Sequence, residues 1–537
     1  MASRRHHALA VASFVGSAIA AINGCGSEGD SSSSGGSSGS GASSGSGASS
    51  GSGGSSGSTA SGGAGGDAPP NVGGGAGTGG VSGSGSGGSG AVTSCGGGGA
   101  PAAPTAACAL SQDRIRITEV NVGGTVVNDE AEASLHPVVI SALPSGGSRL
   151  AWMGDDGQLH VTTLDAGDQP TGTAVTLAVN DFSDLYADDA GGVVLATRDA
   201  AGSGDRHCGT LTNLCGNASS LPGQYECWDM YMVRFDCAGE TWATQLTESS
   251  AGSPPYLNSP TDTQVVRFIW WYAHHGRIAF DGTNYAGYFG SAVSLSQDCV
   301  DADSTLAQGV NIHQGDRMKV VGPGGELLTG HDSFDWGCSH SGYERIVWDA
   351  GAARFVTVCK TDNQNRIALA PRYSTIRPVD LGAANLGDLV LASGGGYWLS
   401  TSDIETGGAG NADVMLLRFG VTDTTAALSD EIDVAATAGL NERAPHLAAY
   451  GTDGLLVAWE TSSSGNDIRR TDSSRQLHAQ VRDRATGAAI GDALTITGVL
   501  GNRYHEFRSF PDGSVAFPAP GDTPQSVKIL RVMPCAQ

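Results

Sequence analysis

From residue 108 onward the sequence predicts an all-β domain made of one repeated unit, a four-stranded antiparallel meander. Three observations carry this. Short apolar strings stand repeatedly beside tight-turn signals: Asp155-Asp156-Gly157, Asp189-Ala190-Gly191, Asp281-Gly282, Asp349-Ala350-Gly351, Gly394-Gly395-Gly396, Asp453-Gly454 and Asp512-Gly513. Asp-Gly between hydrophobic runs marks a hairpin, because its tight turn needs residues that tolerate positive φ. The unit returns every 45–60 residues or so, stretched to about 80 by insertions in two places. No long window shows apolar residues at helical spacing.

Each element can be placed in order. Second strands follow the turns, starting at Val193, Arg354, Tyr397 and Leu455. Third strands alternate apolar with polar, starting at Met230, Asp316, Asp413, Gln476 and Val527, and weaker fourth strands follow, as at Asp492. Counting turn-centred units gives seven; one misread unit would make six or eight. Such a series resembles a β-propeller, a ring of four-stranded blades. The last unit shows three strands, and residues 113–120 form a spare strand at the other end. Set as the outer strand of the last blade, it closes the ring. Cys108 and Cys535 then end neighbouring strands, and a disulfide between them would contribute up to about 5 kcal/mol by constraining the unfolded chain. Trp348-Asp349 sits at a first-strand turn, not where a WD40 dipeptide belongs, and no S-x-D-x-G-x-x-W string occurs. The likeness is to propellers in general, with no named family.

The front of the 537-residue chain reads as an address. Arg4 and Arg5 precede an uncharged apolar stretch over 8–22, of secretory-signal length and too short to span a bilayer. Ile22-Asn23-Gly24-Cys25 follows and resembles the lipobox of bacterial lipoproteins. That resemblance implies cleavage before Cys25, acylation of its thiol and new amine, and anchoring by several acyl chains. The expected organisation is a signal peptide over 1–24, a tether over 25–107 and a propeller over 108–537. Residues 26–100 hold 54 Gly plus Ser in 75 positions, with only Glu28, Asp30 and Asp67 charged. Such a segment buries too little apolar surface to offset chain entropy and is expected to stay disordered, spanning roughly 50 Å. The expected residence is the cell envelope of a Gram-negative-type bacterium, lipid-anchored in the outer membrane or at the surface. The formal charge of −25, or −27 without Arg4 and Arg5, argues against nucleic acid as a partner. The domain is expected to be monomeric.

Eleven cysteines are present, and ten remain beside Cys25. An even number in an exported chain fits disulfides. Local pairs expected besides Cys108–Cys535 are Cys208–Cys215, Cys227–Cys237 and Cys338–Cys359, with Cys95 and Cys299 unassigned. No CxxC occurs, which leaves zinc-ribbon and redox motifs without support.

Topology directs the functional reading. In a four-stranded meander, blade-to-blade loops and second-to-third-strand loops emerge on one face, opposite the short turns. Loops on a rigid scaffold are where binding residues gather. The unusual segments map to that face: an aromatic run from Phe268 ending in His274, His275 and Arg277; His331, Asp332, Asp335, His340, Tyr343 and Arg345; Arg443 and His446; Arg503 and His505; and, inside the 290–315 insertion and just beyond it, His313 and Arg317. His446 and His505 each stand eight residues before their turn glycines, 454 and 513, so they should be equivalent first-strand positions near the channel.

Imidazole, guanidinium, carboxylate and aromatic groups together suit a polar, polyhydroxylated or anionic ligand. The first expectation is therefore a binding module for a glycan-like extracellular ligand. A polysaccharide lyase is the second: Tyr343, His340 or His446 would abstract a proton and Arg345 or Arg443 would neutralise a uronate carboxylate. A hydrolase would instead need paired carboxylates, such as Asp332 and Asp335. The third is a protein-interaction scaffold of the envelope. No cofactor or metal is expected, since HExxH, the EF-hand pattern, a P-loop and a dinucleotide fingerprint are all missing from the folded part.

Overall fold

Apolar strings bounded by turn residues become antiparallel meanders in the computed structural model. It describes residues 99–127, 137–199, 207–210, 224–226, 228–247, 276–291, 315–330, 333–334, 344–360, 364–369, 372–378, 385–404, 411–422, 425–463, 473–501 and 505–535. These form six four-stranded sheets, one five-stranded sheet and a two-stranded pair. In chain order the first strands of the large sheets are Val139–Ala142, Asp181–Asp188, Arg277–Phe280, Glu344–Asp349, Asn385–Leu391, Asn441–Tyr450 and Arg508–Ser509. Each packs against the first strand before and after it, and Arg508–Ser509 packs against Val139–Ala142, so the series closes around an axis. The fold is a β-propeller.

The five-stranded sheet consists of Val139–Ala142, Ser148–Gly154, Leu159–Leu164 and Pro170–Leu177, with Val126–Val127 added beside Ser148–Gly154. Closure uses both ends of the chain. Ile115–Asn121 pairs antiparallel with Ser526–Val532, setting Ile117 opposite Leu530 and Val120 opposite Val527. The N-terminal strand thus completes the sheet that Arg508–Ser509, Val515–Pro520 and Ser526–Val532 begin.

The core lies between sheets. Val161 and Leu177 of one sheet meet Val194, Ala196 and Phe235 of the next. Across the closure, Val120, Val527 and Ile529 pack on Ile140, Leu150 and Trp152. Burial of this kind contributes roughly 25 cal/mol per Å² of apolar area, and it joins only neighbours in the ring.

The chain end preceding the first strand lies on the turn face. Thr105 Oγ1 donates to the Cys535 carbonyl at 2.9 Å, Thr452 N–H donates to the Thr105 carbonyl at 2.9 Å, and Ala107 N–H donates to Asp453 Oδ1 at 2.7 Å. Gly451 makes this approach possible: its φ is +58°, and a Cβ there would stand 2.5 Å from the Thr105 carbonyl oxygen. So the last residues of the expected tether lie along the blade turns. The Cys108–Cys535 disulfide forms just beyond, with Cα atoms 6.0 Å apart. Cys237 and Cys359 are also disulfide-bonded. Cys215, Cys227, Cys338 and the side chain of Cys208 lie outside the described residues, as do Cys25, Cys95 and Cys299.

One turn assignment needs correcting. Asp155-Asp156-Gly157 joins the second and third strands of its sheet, Ser148–Gly154 and Leu159–Leu164. The first hairpin of that sheet turns instead through Gly146 and Gly147, at φ +95° and +76°. Turn chemistry marks a hairpin without saying which pair of strands it joins. The 199–228 insertion contains the two-stranded pair His207–Thr210 and Gln224–Glu226. Among the described residues, no helix is long and apolar enough to cross a membrane.

Candidate functional site

Bulges in the axial strands build the site. Opposite Ala196 and Leu195 stand Phe182 and Asp184, with Ser183 looped out between them. A bulge bends its strand and re-aims a side chain. Here it carries the Asp184 carboxylate to the next sheet, where it accepts the Ile278 N–H at 2.7 Å. The same device recurs in Asn385–Leu391, where the register shifts between Leu386 and Leu389. There Asp388 Oδ2 accepts the Leu447 N–H at 3.1 Å and hydrogen-bonds His446 Nδ1 at 3.2 Å. Asn441–Tyr450 shifts between Arg443 and His446, with Ala444 in the left-handed region at φ +50°. Gly387 lets the last two bulges interlock, because a Cβ there would run into the Pro445 carbonyl oxygen.

Arginines then cross the axis. Arg508 donates to Asp184 through Nη2, and its Nη1 lies 2.9 Å from Glu506 Oε2. Arg277 Nε meets Glu506 Oε1 at 2.8 Å. Arg345 Nε pairs with Asp388 Oδ1 at 3.1 Å and stands 4.0 Å from Glu506 Oε1. One carboxylate, Glu506, therefore collects three guanidiniums from three sheets. The side chains of Arg345 and Arg277 are 1% and 4% exposed, whereas Glu506 and Arg508 keep 14% and 22%. The web is thus sealed on one side and open toward Glu506 and Arg508.

Electrostatics follow from this arrangement. Burial opposes ionisation of Arg508, but Asp184 and Glu506 outweigh it and hold its pKa above the ordinary guanidinium value. Arg345 is pushed down, by burial first and by the charge of Arg277 second. Burial raises the Asp184 carboxyl. Burial also works to raise Asp388, but the His446 hydrogen bond and the nearby cations bring its pKa below the ordinary value. His505 is driven down to about 3, by burial first and then by Arg277 and His446, so its ring is neutral near neutral pH. His446 packs at 4.9 Å from the Phe507 ring and 5.4 Å from Phe517, and His505 lies 6.2 Å from Phe517. A cavity of about 10 Å³ adjoins the web, lined in part by Ser183, Asp184, Arg277, His505, Glu506 and Arg508. It has room for about one water molecule.

Arg277, Arg345, His446 and His505 of the expected set are thus gathered at the axis. His446 lies within its strand and His505 just before one, both on axial segments as their spacing implied. Arg443 shares the His446 strand and is buried. Arg345 and His446 are buried strand residues that share Asp388 as partner. Arg317 lies on Gly315–Val321, two strands out from the axis. His274, His275, His313, His331, Asp332, Asp335, His340, Tyr343 and Arg503 lie outside the described residues. Among the described residues no group of three or more His, Cys, Asp and Glu side chains is placed to hold a metal ion.

Sequence reasoning missed Asp184, Asp388, Glu506 and Arg508. A signal existed for the first two. Phe182-Ser183-Asp184-Leu185 and Leu386-Gly387-Asp388-Leu389 repeat an apolar, small, Asp, Leu order before their turns, and Pro445-His446-Leu447 is a variant of it.

No protein-family model and no curated protein matches the chain. Solved structures match the chain at low identity. A protein of unknown function from Dyadobacter fermentans is 10% identical with a TM-score of 0.36, over 78% of this chain and 99% of that one. The Dos1 propeller is 9% identical with a TM-score of 0.36, over 81% and 95%. The soluble aldose sugar dehydrogenase of Escherichia coli is 12% identical with a TM-score of 0.33, over 78% and 100%. Likeness at this level says nothing of what this chain binds.

Proposed function

We propose that the chain is an exported, lipid-anchored β-propeller that binds a polar, glycan-like extracellular ligand at the loop-bearing mouth of its ring. In this reading the five-stranded sheet is a blade with one strand added, which makes seven blades. Cys25 carries the lipid, the Gly/Ser-rich segment expected over 25–107 is the tether, and the domain acts as a monomer.

The observation that carries the binding role is the Glu506-centred web. It places guanidinium and carboxylate groups from several blades at one end of the axis, with Glu506 and Arg508 still reached by solvent. Fixed donors and acceptors on rigid strands suit recognition of a hydroxylated ligand. Binding is favoured over lyase chemistry because His446, the candidate base among the described residues, is buried and held by Asp388, which leaves it unpresented to a substrate. His274, His275, His313, His331, Asp332, His340, Tyr343 and Arg503 remain candidates on sequence grounds alone.

The test is binding of the detergent-solubilised full chain to immobilised neutral and acidic polysaccharides, with Arg508→Ala beside it. Saturable binding lost in the variant, without release of unsaturated sugar products, is expected. Binding untouched by Arg508→Ala would move the ligand site elsewhere, and unsaturated products would make the protein a lyase. The anchor is tested separately: Cys25→Ala should shift the protein from the membrane fraction to the soluble one.

A further inference from the structure

Glu506 is held as a ligand would be held. Arg277, Arg345 and Arg508 stand on or at the start of axial strands, whereas Glu506 belongs to the short stretch between residue 505 and the Arg508–Ser509 strand. The three guanidiniums are fixed by their strands and by further partners. Arg508 is held by Asp184, Arg345 by Asp388 and the Glu344 carbonyl, and Arg277 by the Gly276 carbonyl. With Glu506 in place, one carboxylate serves all three arginines. Without it, the three guanidiniums lose the anion they share, around a carboxylate-sized space. The adjoining cavity of about 10 Å³ holds no carboxylate, so one bound by all three guanidiniums would take the place of Glu506.

Resting on the reading of this mouth as a ligand site, we infer that Arg277, Arg345 and Arg508 form a carboxylate receptor that Glu506 fills in the free protein. The ligand is then an acidic glycan of the uronate class, whose carboxylate displaces Glu506. Arginine suits the task, because its planar fork matches a carboxylate in geometry as well as charge. Neutral sugar hydroxyls lack the charge to compete with Glu506.

The experiment compares wild-type full chain with Glu506→Gln by calorimetry. The probes are an oligogalacturonate and its fully methyl-esterified form, in which each carboxylate charge is replaced by a neutral methyl ester. Removing the internal competitor should tighten binding of the acid by about tenfold and leave the ester unchanged. Arg277→Gln should weaken the acid by a similar factor. Glu506→Asp, one methylene shorter, serves as the second variant should Glu506→Gln fold poorly, and it too should tighten the acid. Acetate and galacturonate should also raise the melting temperature of Glu506→Gln more than that of wild type. Should a glycan bind while acid and ester are equal in both proteins, the receptor is overturned and the binding mouth survives. Should no glycan bind while acetate still stabilises Glu506→Gln selectively, the receptor stands and the glycan reading falls.

Discussion

Acid should destabilise the ring through His505, and the effect can be sized. The buried imidazole has its pKa lowered to about 3, against 6.5 for the free side chain. The unfolded chain therefore binds a proton in a range where the folded chain does not. Stability rises with pH wherever the unfolded state holds more protons. The contribution of neutral, buried His505 is thus full above about pH 6.5 and lost progressively as pH falls toward about 3. Its slope is about 1.4 kcal/mol per pH unit, which amounts to about 2.5 kcal/mol between pH 7 and roughly pH 4.5. Other groups titrate over the same interval, so the measurement is a difference. Urea unfolding of wild type and His505→Phe, disulfides intact, gives the stability of each at both pH values. Phenylalanine keeps a ring beside Phe517 and removes the titration. Wild type should lose about 2.5 kcal/mol more than the variant on acidification, and any packing cost of the substitution cancels. Equal losses in the two proteins would show that His505 titrates normally and is not sealed at the axis.

Three further outcomes follow from the geometry. Asp168 is buried and takes Arg531 Nε at 3.0 Å and Arg116 Nη2 at 2.6 Å, tying the closing strands to the first sheet, so Asp168→Ala should cost about 3–5 kcal/mol in urea unfolding. An unchanged midpoint would remove that clamp from the account of closure. Gly387→Ala, which drives a methyl against the Pro445 carbonyl, should destabilise by about 2 kcal/mol or more, while Gly420→Ala, with nothing within 4 Å, should stay within about 0.5 kcal/mol. Replacing Cys108 and Cys535 by serine should lower stability by up to about 5 kcal/mol relative to the oxidised protein, and a difference near zero would mean that strand pairing alone holds the ring shut.

The closure was legible in the sequence because its signals are local. A spare strand at residues 113–120, a three-stranded last unit and two cysteines beside them leave few ways to pair, and Ile115–Asn121 does pair with Ser526–Val532. The positions of His446 and His505 were legible for a related reason, since equal spacing to a turn glycine places residues equivalently in a repeat. What could not be read is which side chains meet. Arg508 and Asp184 are 324 residues apart, and no periodicity marks either as the other's partner. The bulges hid the acids further. Looping out Ser183 re-aims Asp184, and strict alternation of inward and outward residues does not foresee such a turn. Histidines and aromatics drew attention by type, whereas the web depends on aspartates in strands that read as ordinary core.

The distribution of polar and apolar contacts explains why charged groups occupy this part of the axis. Apolar clusters bridge adjacent sheets, as Val161 does to Val194, and an interdigitated interface of that kind reaches no further than its neighbour. At the axis the web joins sheets that are not neighbours, and side chains that do so must be long. Arginine is long enough, and its donors can be met from several directions. Arg508 joins its sheet to the one bearing Asp184 across the Val139–Ala142 sheet, and Arg277 reaches Glu506 from the other side. Buried ion pairs of this sort add little net stability, because desolvation offsets most of the attraction, yet removing one member leaves an uncompensated charge. The web therefore acts chiefly on geometry. It holds sheets that share no apolar interface in one register, and it keeps three guanidiniums aimed at a single carboxylate position. An exchange of that carboxylate for one of the same charge would leave the ring's shape intact. Loss of an arginine also removes a link between sheets, which is why Glu506→Gln is read beside Arg277→Gln and Arg508→Ala rather than replaced by them.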